Sequence, residues 1–204
     1  MRFTHTLDAD IVSLLRKEGF KRKGNVFIRL HADGILQCIF SARGATTKDC
    51  SYSISVRSIY EPDVFGDVSL YRGALTYPFE LSDFNIEKIA YHSNYDTMKY
   101  ACLPKLNNTN SQESFCELIS LLDTKRFGFV RWYMDMLSIP SLMALGQYAL
   151  SVQKCDIVLS HNDKLINVLK MKKVLETGDP ELVYSFLMQA QSSNLHQFAS
   201  LKFK

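Results

Sequence analysis

Gly19-Phe20-Lys21-Arg22-Lys23-Gly24-Asn25-Val26-Phe27-Ile28-Arg29-Leu30-His31-Ala32-Asp33-Gly34-Ile35-Leu36-Gln37-Cys38-Ile39-Phe40 is the stretch that decides the fold. After the basic turn Lys21-Arg22-Lys23-Gly24, residues 25–31 alternate with the period of a strand. Val26, Ile28 and Leu30 point one way, and Phe27, Arg29 and His31 the other. Asp33-Gly34 marks a hairpin, because both residues tolerate the positive φ angles that tight turns require. Residues 35–42 return as a second strand, with Leu36, Cys38 and Phe40 on the apolar side. A polar loop over 44–49 leads to a third strand over 51–60. There Tyr52, Ile54 and Val56 are expected on the core side, and Ser53, Ser55 and Arg57 on the other. An antiparallel sheet of this kind has one face for the core and one for water or a ligand.

Upstream, Thr6 can cap a helix whose first turn carries Asp8 and Asp10, which suit the positive end of the dipole. Leu7, Ile11, Leu14 and Leu15 form its apolar stripe, and Arg16 and Lys17 fill its last turn. Gly19 is placed to stop the helix in the left-handed conformation, with Phe20 folding back onto Leu15.

Gly19 to Asn25, the Asp33-Gly34 turn and the strand bearing Gln37 together resemble the bacterial domain-of-unknown-function 4304 family. Arg72-Gly73 ahead of Asp83-Phe84 is similar to a later segment of that family, one richer in tryptophan than this chain, whose single tryptophan is Trp132. The likeness covers roughly the first half of the chain and rests mainly on one short motif. It implies an α+β fold and a bacterial origin, and it brings no catalytic residues with it.

The chain has 204 residues, enough to bury a sizeable core. With hydrophobic residues at 47% and charged ones at 22%, its composition is that of a globular protein. A net charge of +3 is too small to point to nucleic acid or an anionic membrane. Five cysteines without a C-x-x-C pair suit a reducing cytosol better than a disulfide framework. Residues 1–10 lack the apolar run of a secretory leader, and nowhere is there an apolar run long enough to span a membrane. The expected setting is the cytoplasm.

Past the third strand, Glu61-Pro62-Asp63 is a break, and residues 68–77 offer a further short strand. Asp83 or Asn85 could cap a helix with Ile86, Ile89 and Ala90. Pro104 and Asn107-Asn108-Thr109-Asn110 mark a loop, and Asn110 with Glu113 resembles a capping box opening a helix with Phe115, Leu118, Ile119 and Leu122. Ile139-Pro140 is expected to start another helix, with Leu142, Leu145, Ala149 and Val152 as its stripe. Residues 163–176 are amphipathic, with Leu165, Ile166, Leu169 and Val174 assigned inward. Gly178 stops that helix and Asp179-Pro180 opens the next. Strands early and helices late predict an α+β protein. It has an N-terminal helix, an antiparallel meander of three or four strands, and a helical C-terminal half packed on it. An α+β domain over 1–125 and a helical extension over 126–204 follow, or one continuous domain.

Function has a weaker imprint. His5, His31, His92, His161 and His196 show no metal-ligand spacing, and no cofactor motif is present, so neither metal nor cofactor is expected. Ser160-His161-Asn162-Asp163 holds triad residue types, but neighbours in sequence cannot converge, and a helix cap explains them better. Cys38 and Cys116 fit core positions, whereas Cys50, beside Lys48 and Asp49, is the thiol placed for exposure. Lys21-Arg22-Lys23 with Arg16 and Lys17 could meet phosphates, although a solvated turn explains them more simply. The outward sheet face is the surface of interest. Arg29, Gln37, Ser55 and Arg57, with His31 and Ser53, would project from neighbouring strands and could bind a carboxylate, a phosphate or a partner. A non-enzymatic protein–protein interaction module is the leading expectation, with the immunity or antitoxin kind among its forms and another protein as partner. The alternative is a small-molecule or phosphoester-processing enzyme with its site on that face.

Overall fold

A computed structural model of the protein describes residues 9–43, 50–62, 79–80, 94–121 and 131–197. Helix α1, Ala9–Lys17, buries Ile11 and Leu15. It stops at Gly19, whose φ is 84°. The Phe20 N–H donates to the Leu15 carbonyl at 2.9 Å and the Gly19 N–H to that of Arg16 at 3.1 Å, the paired bonds of a Schellman cap. Phe20 is buried in the same cluster as Leu15, as the sequence predicts. Thr6 lies outside the described residues.

The sheet has five strands in sequence order: β1 Lys21–Lys23, β2 Val26–Leu30, β3 Ile35–Arg43, β4 Cys50–Ser58 and β5 Phe79–Glu80. Every neighbouring pair is antiparallel. The alternating segments of the sequence are β2, β3 and β4. Lys21–Lys23, expected as a turn, is an edge strand instead, because Gly24-Asn25 makes a two-residue hairpin that sets Lys23 opposite Val26. Gly24 supplies that hairpin's positive φ of 59°. Between β2 and β3 the Gly34 N–H donates to the His31 carbonyl at 2.9 Å, and Gly34 takes φ 77°.

The register corrects the expected faces. Phe27 lies opposite Ile39, and Ile39 opposite Ile54. Tyr52, Ile54 and Val56 therefore share a face with Phe27 and Ile39, not with Val26, Ile28 and Leu30. Both faces of β2 and β3 carry apolar residues, so alternation alone could not say which face continues into β4; a one-residue difference in pairing swaps the two. The face bearing Phe27, Ile35, Ile39 and Ile54 is the main core, under α1 and the helices described next. Ile28, Leu36 and Cys38 form a smaller buried cluster on the opposite face.

Helix α2, Asn94–Thr97, passes through a π-helical turn, Met98–Cys102, into α3, Leu103–Asn108. The loop expected from Pro104 to Asn110 is thereby confined to residues 109–111, between α3 and the next helix. Pro104 falls in the first turn of α3, directly where the chain leaves the π-helical turn. Helix α4, Gln112–Leu121, opens with reciprocal bonds between Ser111 and Ser114 at 3.0 and 3.1 Å, one residue later than the predicted Asn110–Glu113 box.

Helix α5, Arg131–Ala144, runs straight through Pro140 instead of starting there. An internal proline costs about 3 kcal/mol. Here every residue from Leu137 to Met143 is buried, which offsets that cost. The helix stops at Gly146, φ 70°, with the Gln147 N–H on the Leu142 carbonyl at 2.9 Å, so the expected stripe from Leu142 to Val152 is divided between two helices. Then follow α6 Tyr148–His161, α7 Ile166–Leu175 and α8 Pro180–Gln197. Asp179 caps α8, its Oδ1 accepting the Glu181 N–H at 2.9 Å. In α7 the buried residues are Val168, Met171 and Leu175, while Ile166 and Leu169 face water. Of the stripe expected from sequence, Leu165 and Val174 pack against the cluster holding these buried residues, and Ile166 and Leu169 do not.

Met134 and Leu137 of α5 belong to the sheet core, and Ile139 and Met143 belong to a second core with α6, α7 and α8. One helix thus carries both cores. Among the described residues no helix is long and apolar enough to cross a membrane. The further strand over 68–77, the helix around Ile86 and residues 198–204 lie outside the described residues.

Candidate functional site

The four sheet residues singled out by the sequence do not converge. Arg29 and Gln37 pair across β2 and β3 on the core face. Arg57 pairs with Leu36, which places it and Ser55 on the opposite face. Gln37 is fully buried, and Ser55 and Arg57 nearly so.

Arg29 Nε and Nη2 donate to Gln37 Oε1 at 2.9 and 2.7 Å, Nη1 to the Glu18 carbonyl at 2.9 Å, and Nη2 to Asn107 Oδ1 at 2.7 Å. Its guanidinium also lies 4.4 Å from the Phe20 ring centroid. Gln37 Nε2 donates to the Leu106 and Thr109 carbonyls at 2.6 and 2.7 Å. This network fastens α1 and α3 to the sheet and leaves little of either side chain for a ligand. Beside it, burial holds His31 below the ordinary imidazole value, with the Arg29 charge acting in the same direction against a Gln37 hydrogen bond.

On the other face, Arg57 Nε donates to Glu61 Oε2 at 2.6 Å, and a second contact makes the pair bidentate. Burial works against the Arg57 charge, but Glu61, with Tyr133 adding to it, more than offsets burial and holds the guanidinium charged. Asn194 of α8 donates to the Ile59 and Glu61 carbonyls at 2.7 and 2.8 Å, tying α8 to the end of β4.

The thiols are poor nucleophiles where they are described. Burial pushes Cys38, Cys102 and Cys155 up to about 12, and Cys116 to about 11. Cys50 opens β4, and its side chain lies outside the described residues. His161, at the end of α6, stacks on Trp132 with ring centroids 6.3 Å apart, and Asn162 Oδ1 accepts the Lys164 N–H at 3.1 Å. Asn162 ends α6 through its backbone N–H, and α7 begins only at Ile166 behind Leu165 with no side-chain cap, so the helix cap expected from Ser160 or Asn162 does not form.

A surface with room for an occupant lies elsewhere, between α4, α5 and α6. The cavity there has a volume of about 520 Å³. Arg131, Asp135, Ser138 and Leu142 of α5 form its floor, spaced to fall along one helix face. Glu113, Cys116, Glu117 and Ser120 of α4 make one wall, and Leu150 and Lys154 of α6 the other. Asp135 is 5% exposed; Lys154 bonds its Oδ1 and Arg131 Nε approaches to 3.7 Å. The buried carboxylate thus binds Lys154 of the α6 wall and lies close to the half-exposed Arg131. Glu113 and Glu117, one helical turn apart and exposed, have no ion-pair partner among the described residues.

Sequence reasoning missed this groove. Its one legible sign was Asp135 within Trp132-Tyr133-Met134-Asp135-Met136-Leu137, a charge in an otherwise apolar helical run, which has to find a partner if it is buried. That the partner is Lys154, on the next helix, could not be read until Gly146 was known to turn the chain back.

In comparisons with known proteins, no family model matches the chain, and neither a curated protein nor a solved structure matches it.

Proposed function

We propose that the protein is a non-enzymatic protein-binding module that seats a partner's segment in the groove between α4, α5 and α6. The observation that carries this reading is the groove itself. It is a three-helix trough with apolar Leu142, Leu145 and Leu150 along it and, on one wall, Glu113 and Glu117, which have no ion-pair partner among the described residues. Its occupant is an amphipathic segment with apolar anchors and a row of lysine or arginine side chains, since those cations complement the acidic wall. The enzyme alternative loses its basis, because the residues proposed for it lie on opposite faces and their guanidinium groups are engaged within the fold. A bacterial cytosolic setting is supported by the likeness at Gly19 to Asn25 and by Cys38, Cys102, Cys116 and Cys155 being free of disulfides. A small module of this kind suits a neutralising role such as that of immunity and antitoxin proteins.

Photocrosslinking in the source cell tests it. A benzophenone side chain at position 150 is expected to give a discrete adduct that disappears with Glu113→Lys and Glu117→Lys. The same adduct from a probe at Leu182, exposed on α8, would overturn the assignment.

A further inference from the structure

A second cavity, of about 550 Å³, lies beside α1 and the β1 edge. Ala9, Val12, Ser13, Arg16 and Lys17 of α1 line it, together with Arg22 of β1. From these residues we infer a binding site for a small organic phosphate carrying adjacent phosphoryl groups, such as a nucleoside diphosphate.

Three features support the site. Its described lining carries three cations and no carboxylate. Arg16 and Lys17 are exposed, and among the described residues their side chains make no hydrogen bond or ion pair, so their donors are open to an anion. Arg22, in contrast, is held in place. Its Nε donates to the Gly24 carbonyl at 2.9 Å and its guanidinium lies 5.7 Å from the Phe27 ring centroid, which leaves the terminal nitrogens for a bidentate contact.

The end of α1 would ordinarily repel an anion, because a helix C-terminus carries partial negative charge. Here the Leu14, Leu15 and Arg16 carbonyls accept the Glu18, Phe20 and Gly19 N–H groups, so those dipoles are satisfied within the cap. Ala9 contributes almost no side chain to the wall and Ser13 offers a hydroxyl. The volume falls within the roughly 300–1,000 Å³ typical of small-molecule sites. Three clustered cations match the charge of a diphosphate, whereas a net charge of +3 for the whole chain gives no extended basic track for a polynucleotide.

Calorimetric titration of the full chain with inorganic pyrophosphate at low salt tests the inference, with ADP and a single-stranded oligonucleotide as separate arms. Saturable binding of pyrophosphate and ADP is expected, one per chain, weakened at least about tenfold by Arg16→Gln combined with Lys17→Gln. Both side chains are exposed, and an unchanged circular dichroism spectrum separates lost binding from lost structure. Lys170→Gln, in a different cavity lined by Pro62, Asn167 and Phe186, is expected to bind as the wild type does. Lack of saturation, equal weakening by Lys170→Gln, or binding of the oligonucleotide alone would each overturn the site. None of these outcomes bears on the groove between α4, α5 and α6.

Discussion

Gln37 joins segments that are far apart in sequence: its oxygen takes two Arg29 donors and its amide nitrogen serves the Leu106 and Thr109 carbonyls. Gln37→Ala strands those groups in a buried setting and is expected to cost about 3 kcal/mol in chemical denaturation. A loss under about 1 kcal/mol would mean that the network is dispensable. Gly34 is fixed twice over. Its φ is 77°, and an added Cβ would come within 2.9 Å of Ile59 Cγ2 and 3.0 Å of the Tyr60 ring. Gly34→Ala is expected to destabilise by about 2 kcal/mol or more, measured in the same way. His31 is held below its ordinary value of 6.5, mainly by burial. The folded chain therefore binds fewer protons here than the unfolded one, so this contribution to stability is full above that value and is lost as the pH falls below it. Denaturation midpoints from neutral to mildly acidic pH should fall more steeply for the wild type than for His31→Asn, and equal slopes would exclude the effect. Alternation was enough to pick out Arg29 and Gln37 as polar positions on facing strands. It could not show that helix carbonyls from residues 106 and 109 would claim Gln37, because those contacts cross about seventy residues.

The termini of elements were more legible than their faces. Gly19, Gly178 and Asp179 mark stops and starts through local backbone chemistry, and each acts where the sequence placed it. Pro104 and Pro140 misled, because both lie in helical stretches, and at Pro140 burial that the sequence does not reveal meets the local cost. Tyr52, Ile54 and Val56 take the core side as expected, but the face of β2 and β3 that continues them, and the positions of Ile166 and Leu169 in α7, were not legible for a shared reason: apolar residues occur on both sides, so periodicity does not select one. For α7 the structure makes a sharp contrast. Met171→Ala, in the buried row, is expected to cost about 2–5 kcal/mol, and Leu169→Ala, which faces water, about 0.5 kcal/mol or less. Denaturant titration of the two variants checks this, and the reverse order would restore the inward position expected for Leu169.

Across the whole molecule, α5 links the sheet core to the helical core, with Met134 and Leu137 in one and Ile139 and Met143 in the other. A lesion in either core should therefore lower a single shared unfolding transition, followed together by circular dichroism and Trp132 fluorescence. Two separated transitions would show that the helical half folds alone. The α+β class was legible because strand and helix periods occupy different parts of the chain. The groove was not, since it depends on three helices meeting. Its acidic wall and buried Asp135 set the central claim, that partner recognition belongs to α4, α5 and α6 while the polar residues of the sheet hold the fold together. The direct measurement is the affinity of the crosslinked partner, once purified, for the wild type, for Glu113→Lys combined with Glu117→Lys, and for Leu182→Ala. The account expects at least about tenfold weakening for the groove variant and none for Leu182→Ala; undiminished binding by the groove variant would contradict it.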